Sequence, residues 1–214
     1  MEEILLRNIV PEIFSRQDCR TSEIWHKEVT FRSGQKYLIE AVSGAGKSSL
    51  CSYIYGYRRD YLGEIAFDGQ NIRHLDKKQW GLLRKDSLSI LFQELRLFGE
   101  LTVWENIQIK NRLTGFKTPE WIMESLERLG IGDKKEQLAG KLSFGQQQRV
   151  ACIRALCQPF RFVLLDEPVS HLDEANNRAV GALLAEEAAR QDAAIIVTSI
   201  GKKLDVQYDK ILHL

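Results

Sequence analysis

Two glycines, a lysine and three serines crowd into Ser43-Gly44-Ala45-Gly46-Lys47-Ser48-Ser49, and the chemistry this mixture suits is phosphate binding. Gly44 and Gly46 let backbone N–H groups turn inward around phosphate oxygens, and a helix opening at this point adds the partial positive charge of its N-terminus. Lys47 can reach the β and γ phosphates of a nucleotide, and the Ser48 hydroxyl can ligate Mg²⁺. Ala41 stands where such loops usually begin with glycine, so that residue must stay out of left-handed backbone space. Read only as a glycine-rich turn before a helix, the segment leaves Lys47 and Ser48 unexplained.

A second chemical stretch is Phe162-Val163-Leu164-Leu165-Asp166-Glu167-Pro168. The apolar run reads as a dry strand, and burying the Asp166 carboxylate unpaired at its end would cost several kcal/mol. A Mg²⁺ ion, held through water or through Ser48, would compensate. Glu167 can point at a water near the γ phosphate and act as its polarising base. A surface turn before Pro168 is the plainer alternative.

The elements around these motifs follow an α/β order. Residues 4–10, 28–32 and 36–42 read as strands, the last of them buried and leading into the phosphate loop. A helix is expected to open at the glycines and run through Ser48 to about Tyr57, then a strand at 64–67 closed by the Asp68-Gly69 turn, with a hairpin partner nearby. From about 95 to 150 the pattern is helical: Thr118-Pro119-Glu120 is a start signal, Ile122, Leu126 and Leu129 share a face, and Gly130 is a stop. Residues 162–165 and 194–198 are continuous apolar runs of the kind found in parallel strands buried on both faces, joined by a helix over 173–190.

Bulk composition excludes some classes. The 30 basic and 29 acidic residues leave a net charge of +1, with no global field to recruit nucleic acid or an anionic membrane. Cys19, Cys51, Cys152 and Cys157 form no C-x-x-C pair, and the last three sit in apolar helical patterns, so they are expected as reduced core residues. The start of the chain is acidic where a signal peptide is basic, and no apolar run nears the roughly 20 residues of a membrane span. A cytoplasmic location, peripheral to the inner face of the membrane through a partner, is the expectation.

Lys141-Leu142-Ser143-Phe144-Gly145-Gln146-Gln147-Gln148-Arg149-Val150 lies just ahead of the second chemical strand. Together with the phosphate loop and 163–167, it makes nearly the whole chain resemble an ATP-binding cassette (ABC) ATPase. Leu142 to Gln146 match the LSGGQ signature, with Phe144 at its most permissive position. The resemblance implies a P-loop NTPase (RecA-like) α/β core with a small antiparallel β subdomain and an inserted helical subdomain. One domain would span 1–214, with 1–94 and 158–214 as the nucleotide-binding core and 95–157 as the helical signature subdomain.

The same resemblance assigns roles. Gln93 would be the Q-loop glutamine, touching Mg²⁺ and the attacking water. Ser170-His171-Leu172-Asp173 resembles the SALD stretch of the D-loop, with histidine for alanine, and Asp173 can also cap a helix. Phe14 is the first choice for stacking on adenine, with Trp25 second. The histidine that usually follows the last core strand is missing, since Ser199 or Ile200 falls there. Losing one such donor commonly costs about 10² to 10³ in rate, so hydrolysis should be slow unless Ser199 or His171 substitutes. Glu40 is an acid near the phosphates that strand alternation could turn away.

In the family the signature of one subunit closes over ATP held by another, so Ser143, Gly145, Gln146 and Asp173 would act in trans in a dimer, a homodimer by expectation. A separate transmembrane permease is the implied partner, docking on a groove near Gln93 formed by Phe92, Leu95, Leu97, Phe98 and Trp104, with no direct role for nucleic acid. The chain resembles the short stand-alone cassettes of lipoprotein-release and related export systems. A soluble ABC ATPase, or an ATP-gated clamp with weak hydrolysis, are the alternatives.

Overall fold

The structure is a computed structural model that describes residues 1–16, 19 and 21–214. The chain runs β1 (Glu3–Pro11), β2 (Glu28–Arg32), β3 (Lys36–Glu40), α1 (Lys47–Ile54), β4 (Tyr61–Phe67), β5 (Gln70–Asn71), α2 (Lys77–Asp86) and β6 (Leu88–Leu91). It continues with α3 (Val103–Asn111), α4 (Pro119–Arg128), α5 (Phe144–Leu156), β7 (Phe162–Asp166), α6 (Glu174–Arg190), β8 (Ala194–Ser199) and β9 (Lys210–His213).

These strands build two sheets. One is antiparallel in the order β2-β1-β4-β5, and the other is parallel in the order β6-β7-β8-β3-β9. Asp68 (φ 47) and Gly69 (φ 80) both take positive φ between β4 and β5, the backbone that a tight hairpin turn demands.

Strand alternation sorts the core into two layers. Tyr37, Ile39, Phe162, Leu164 and Ile196 face the antiparallel sheet and enclose Leu50, Cys51, Tyr53 and Ile54 of α1 between the sheets. Leu38, Val163, Leu165, Ile195 and Val197 face the other way, onto a cluster that includes Val103 and Ile107 of α3, Ile122 and Leu126 of α4, Val150 and Ile153 of α5, and Leu184 of α6. The phosphate-loop helix is thus held on two sides, and the signature helix shares a core with the sheet that carries Asp166.

Local signals fix the helix starts. Asp76 with Gln79, Thr102 with Glu105, and Ser143 with Gln146 form reciprocal capping boxes, each satisfying two otherwise orphaned backbone donors. Thr118 caps α4 ahead of Pro119, as its sequence predicts. The strand expected over 36–42 ends at Glu40, two residues early, and Val42 is 74% exposed. α1 spans Lys47–Ile54 and stops short of Tyr57.

All four cysteines are free, with Cys51, Cys152 and Cys157 buried. Burial pushes the Cys152 and Cys157 thiols up to about 12, and burial with the nearby Asp166 charge raises Cys51 as well. The thiolate is the reactive form. At pH 8, therefore, iodoacetamide is expected to label only Cys19 in the native protein and all four after denaturation, as read by intact mass. Rapid native labelling at a second cysteine would contradict that packing.

Candidate functional site

The parallel sheet brings its phosphate-binding loop and its carboxylates to one edge, at the ends of β3 and β7. Gly46 caps α1 at φ 97, a left-handed backbone open to glycine, and a Cβ there would meet the Trp25 ring at 3.0 Å and the Phe14 ring at 3.1 Å. A Cβ on Gly44 would meet nothing within 4 Å, so the loop is open beside that residue. Ala41 stays out of left-handed space, as its Cβ requires. The buried Trp25 donates its indole N–H to the Ala45 carbonyl at 3.1 Å. Trp25 braces the loop, while Phe14 lines the pocket in front of it.

That pocket encloses about 260 Å³. Ser43, Gly44, Gly46, Lys47, Ser48 and Ser49 form one wall, Gln93 and Glu167 another, and Ile13, Phe14 and Ile200 an apolar rim. Ile13 and Ile200 are 70% and 45% exposed; no sequence signal marked Ile13. A larger cavity of about 360 Å³ beside α6 is lined by Glu174, Lys203, Asp205 and Tyr208 and contains none of the phosphate-binding groups. Chemistry, not volume, therefore identifies the site.

Inside the pocket the polar groups contact one another. Lys47 is 5% exposed; its Nζ donates to the Val42 carbonyl at 3.2 Å and lies 3.8 Å from Glu167 Oε1. Ser48 Oγ donates to Gln93 Oε1 at 3.3 Å. Asp166, 4% exposed, does not itself line the pocket and accepts a hydrogen bond from the Thr198 hydroxyl at 2.6 Å. Part of the pairing that the buried carboxylate needs thus comes from β8, through a residue the sequence did not single out. The nearby hydroxyl, amide and carboxylate oxygens are hard donors of the kind that Mg²⁺ takes. Among the described residues no cluster of three or more His, Cys, Asp or Glu side chains is placed to hold a metal, so a cation here would rely on this mixed oxygen set and on ligand phosphates.

Glu167 sits at φ 51, a left-handed backbone costing a non-glycine residue about 1 to 3 kcal/mol unless its surroundings hold it. Here they do. Its N–H donates to the Thr198 carbonyl at 3.1 Å, and its carbonyl accepts from Gln148 Nε2 at 3.0 Å. Gln148, 1% exposed, belongs to α5. The same helix steadies the segment after Gln93, because Arg154 donates to the carbonyls of Leu95 and Arg96, two residues at φ 58 and 50.

The signature residues lie elsewhere. Ser143 caps α5, donating its N–H to Gln146 Oε1 at 2.9 Å and accepting from Gln146 N–H at 3.3 Å. Gly145, in the first turn, has no intrahelical acceptor for its N–H. Asp173 caps α6 by accepting from Asn176 N–H at 2.8 Å, and that bond with the Asn176 side chain lowers its carboxyl below the usual range. None of Ser143, Gly145, Gln146 or Asp173 lines the pocket.

Three further expectations are resolved by geometry. Ser199 is buried and its hydroxyl donates to the Lys202 carbonyl at 2.6 Å, away from the pocket that Ile200 lines. Glu40 turns toward Lys203, at 2.8 Å. Of the expected docking groove, Leu95 is buried in the core with Leu97 and Trp104 packed against it, half-buried Phe92 lies beneath Arg96, and Phe98 is 52% exposed.

Comparison with known proteins agrees with this arrangement. A family model described as "ABC transporter" matches residues 26–170. The lipoprotein-releasing system ATP-binding protein LolD of Shewanella denitrificans is 28% identical over 99% of this chain and 92% of its own. LolD of Pseudomonas fluorescens is 30% identical over 87% of this chain and 84% of its own. The dimeric, post-hydrolysis structure of the ATP-binding cassette MJ0796 with ADP and Pi superposes with a TM-score of 0.74 at 23% identity, covering 92% of this chain and 87% of that one, which establishes the fold. The chain belongs to the ABC transporter family, as one of its ATP-binding cassettes.

Proposed function

We propose that this chain binds Mg·ATP in the pocket between its phosphate loop and Glu167, hydrolyses it within a head-to-tail pair of cassettes, and drives a membrane partner carried on a separate chain. The observation that carries the reading is the separation of two donor sets. The phosphate loop, Gln93 and Glu167 share a pocket, whereas the first turn of α5 with Ser143 and Gly145 lies outside it. Donors of that kind serve a nucleotide held by a second copy, and two-fold symmetry then makes two sites. MJ0796, which shares the fold, is described as dimeric and bound to ADP and Pi.

Each residue then has a task. Backbone N–H groups over 43–48 cradle the phosphates, and Lys47 neutralises the β and γ oxygens. Ser48, Gln93 and Asp166 would hold Mg²⁺, which when bound neutralises charge on the phosphates. Glu167 accepts the proton of the attacking water, and Phe14 supports the adenine ring. Among the described residues no helix is long and apolar enough to cross a membrane, which supports a peripheral place on the inner face through the partner. Phe98, 52% exposed, is the part of the expected groove open to such a partner. LolD relatives are named for lipoprotein release; cargo recognition would belong to the partner chain.

Apolar Ile200 on the pocket rim, one of the two positions where the family histidine would fall, supports slow hydrolysis and favours the clamp reading as second choice. Ile200→His is expected to raise turnover about tenfold by adding one donor near the γ phosphate, while Ser199→Ala leaves it unchanged. Steady-state phosphate release checks both. For the whole proposal, tagged Glu167→Gln chain is purified from native membranes in ATP and its companions identified. A polytopic membrane protein is the expected companion; ribosomes or DNA alone would sink the transport role.

A further inference from the structure

We infer that Phe144 and His171 act as one positioning pair for Glu167, an inference resting on the reading of Glu167 as the base for hydrolysis. Both residues are large where the motifs they resemble carry glycine and alanine, and the structure brings them together, with ring centroids 4.3 Å apart and planes tilted by 57°. Beneath the rings the backbones already touch. A Cβ on Gly145 would come within 2.9 Å of the His171 carbonyl, so the first turn of α5 rests directly on the turn after Glu167.

From that contact a short network reaches the glutamate. His171 Nδ1 pairs with Ser170 Oγ at 2.9 Å, and the His171 N–H donates to Gln148 Oε1 at 3.3 Å. Gln148 Nε2 donates to the Glu167 carbonyl at 3.0 Å, and Ser170 Oγ donates to the same carbonyl at 3.4 Å. Glu167 needs such support, since its φ of 51 is not one a glutamate keeps unaided. Core filling does not account for the stack. Phe144 is 42% exposed and His171 is exposed, so little apolar area is removed from water. The rings form the outer latch of the turn, and the hydrogen bonds form its inner side.

A latch made of two parts is lost when either part is lost. Phe144→Ala and His171→Ala are each expected to lower kcat about fivefold, since small displacements of a reacting group are costly in rate. KM for ATP should stay within about twofold, because neither ring lines the pocket and the donors of Ser143 and Gly145 are kept in both variants. The double variant should be no slower than the slower single one. His171→Phe loses only the branch through Ser170, whose bond to the Glu167 carbonyl is the longer at 3.4 Å, and keeps the stacking ring and the backbone N–H to Gln148, so it should retain more than half of the wild-type kcat. Steady-state phosphate release over a range of Mg·ATP concentrations reads both parameters on the purified chain, with melting temperatures to confirm folding.

Additive losses, unchanged kcat in the single variants, a change carried by KM, or His171→Phe as slow as His171→Ala would each overturn the pair. Its failure is distinguishable from failure of the underlying reading. If Glu167→Gln hydrolyses ATP at the wild-type rate, Glu167 is not the base and the pair has nothing to position. If Glu167→Gln is inactive while the ring variants run at the wild-type rate, the pair alone fails.

Discussion

Glu167→Gln is expected to lower ATP turnover by about 10³-fold, the loss of a general base, or roughly 4 kcal/mol of barrier. Glutamine has the shape of glutamate but cannot accept the proton of the attacking water. The strained turn should survive, because its supports are the backbone bonds to Thr198 and Gln148, which ignore the side chain. Lys47 loses a carboxylate neighbour at 3.8 Å, yet its bond to the Val42 carbonyl remains. Nucleotide binding should therefore persist. With hydrolysis blocked, ATP should hold two copies together, so light scattering in Mg·ATP should show a dimer that the wild type forms only transiently. Turnover reduced less than about tenfold would assign the base elsewhere. An inactive protein that stays monomeric in ATP would keep the base and remove the composite site.

The parts of this site that sequence reveals are those whose chemistry is written in consecutive residues. Gly44, Gly46, Lys47 and Ser48 lie within one turn, and Asp166 and Glu167 are adjacent, so residue type and order carry the signal. Thr198 and Gln148 carry none, because threonine in a strand and glutamine in a helix are common and matter here only through contacts across 32 and 19 residues. Ser199 shows the converse. Its position in the chain suggested a donor, but the strand end turns its hydroxyl to Lys202.

The same limit applies to the fold. β3, β7 and β8 are legible because each carries an unbroken apolar, buried run, over 37–39, 162–165 and 194–197. β6 conceals itself with Ser89, whose buried hydroxyl is satisfied by the Ala155 carbonyl at 2.6 Å. β9 sits at the sheet edge and buries only Leu212. α2 buries only Trp80, so no apolar period announces it, and its capping box is the sole local sign.

Glu187 is where loss of a single side chain should cost most stability. It lies on α6 and is 1% exposed, yet it carries a carboxylate. Three donors meet it: Lys117 Nζ, the Trp121 indole N–H at 3.1 Å and Arg190 Nη1 at 2.7 Å. Lys117 is itself enclosed, its ammonium 4.6 Å from the Phe116 ring centre and 4.1 Å from that of Trp121. Removing one member of a buried pair strands the other, at a cost of about 3 to 5 kcal/mol. Glu187→Ala is expected to lower the melting temperature by about 10 °C. Glu187→Ala with Lys117→Met should recover part of that, since it removes the stranded charge. The neighbouring Arg128–Glu186 pair joins the same two helices in the open, with two contacts of 2.6 Å. Its loss in Glu186→Ala should cost under about 1 kcal/mol, as screened surface pairs do. The difference matters for function, because α4 packs on α5 and so helps to place the signature turn and Gln148. Equal melting temperatures for Glu187→Ala and Glu186→Ala would show that the buried cluster does not anchor this junction.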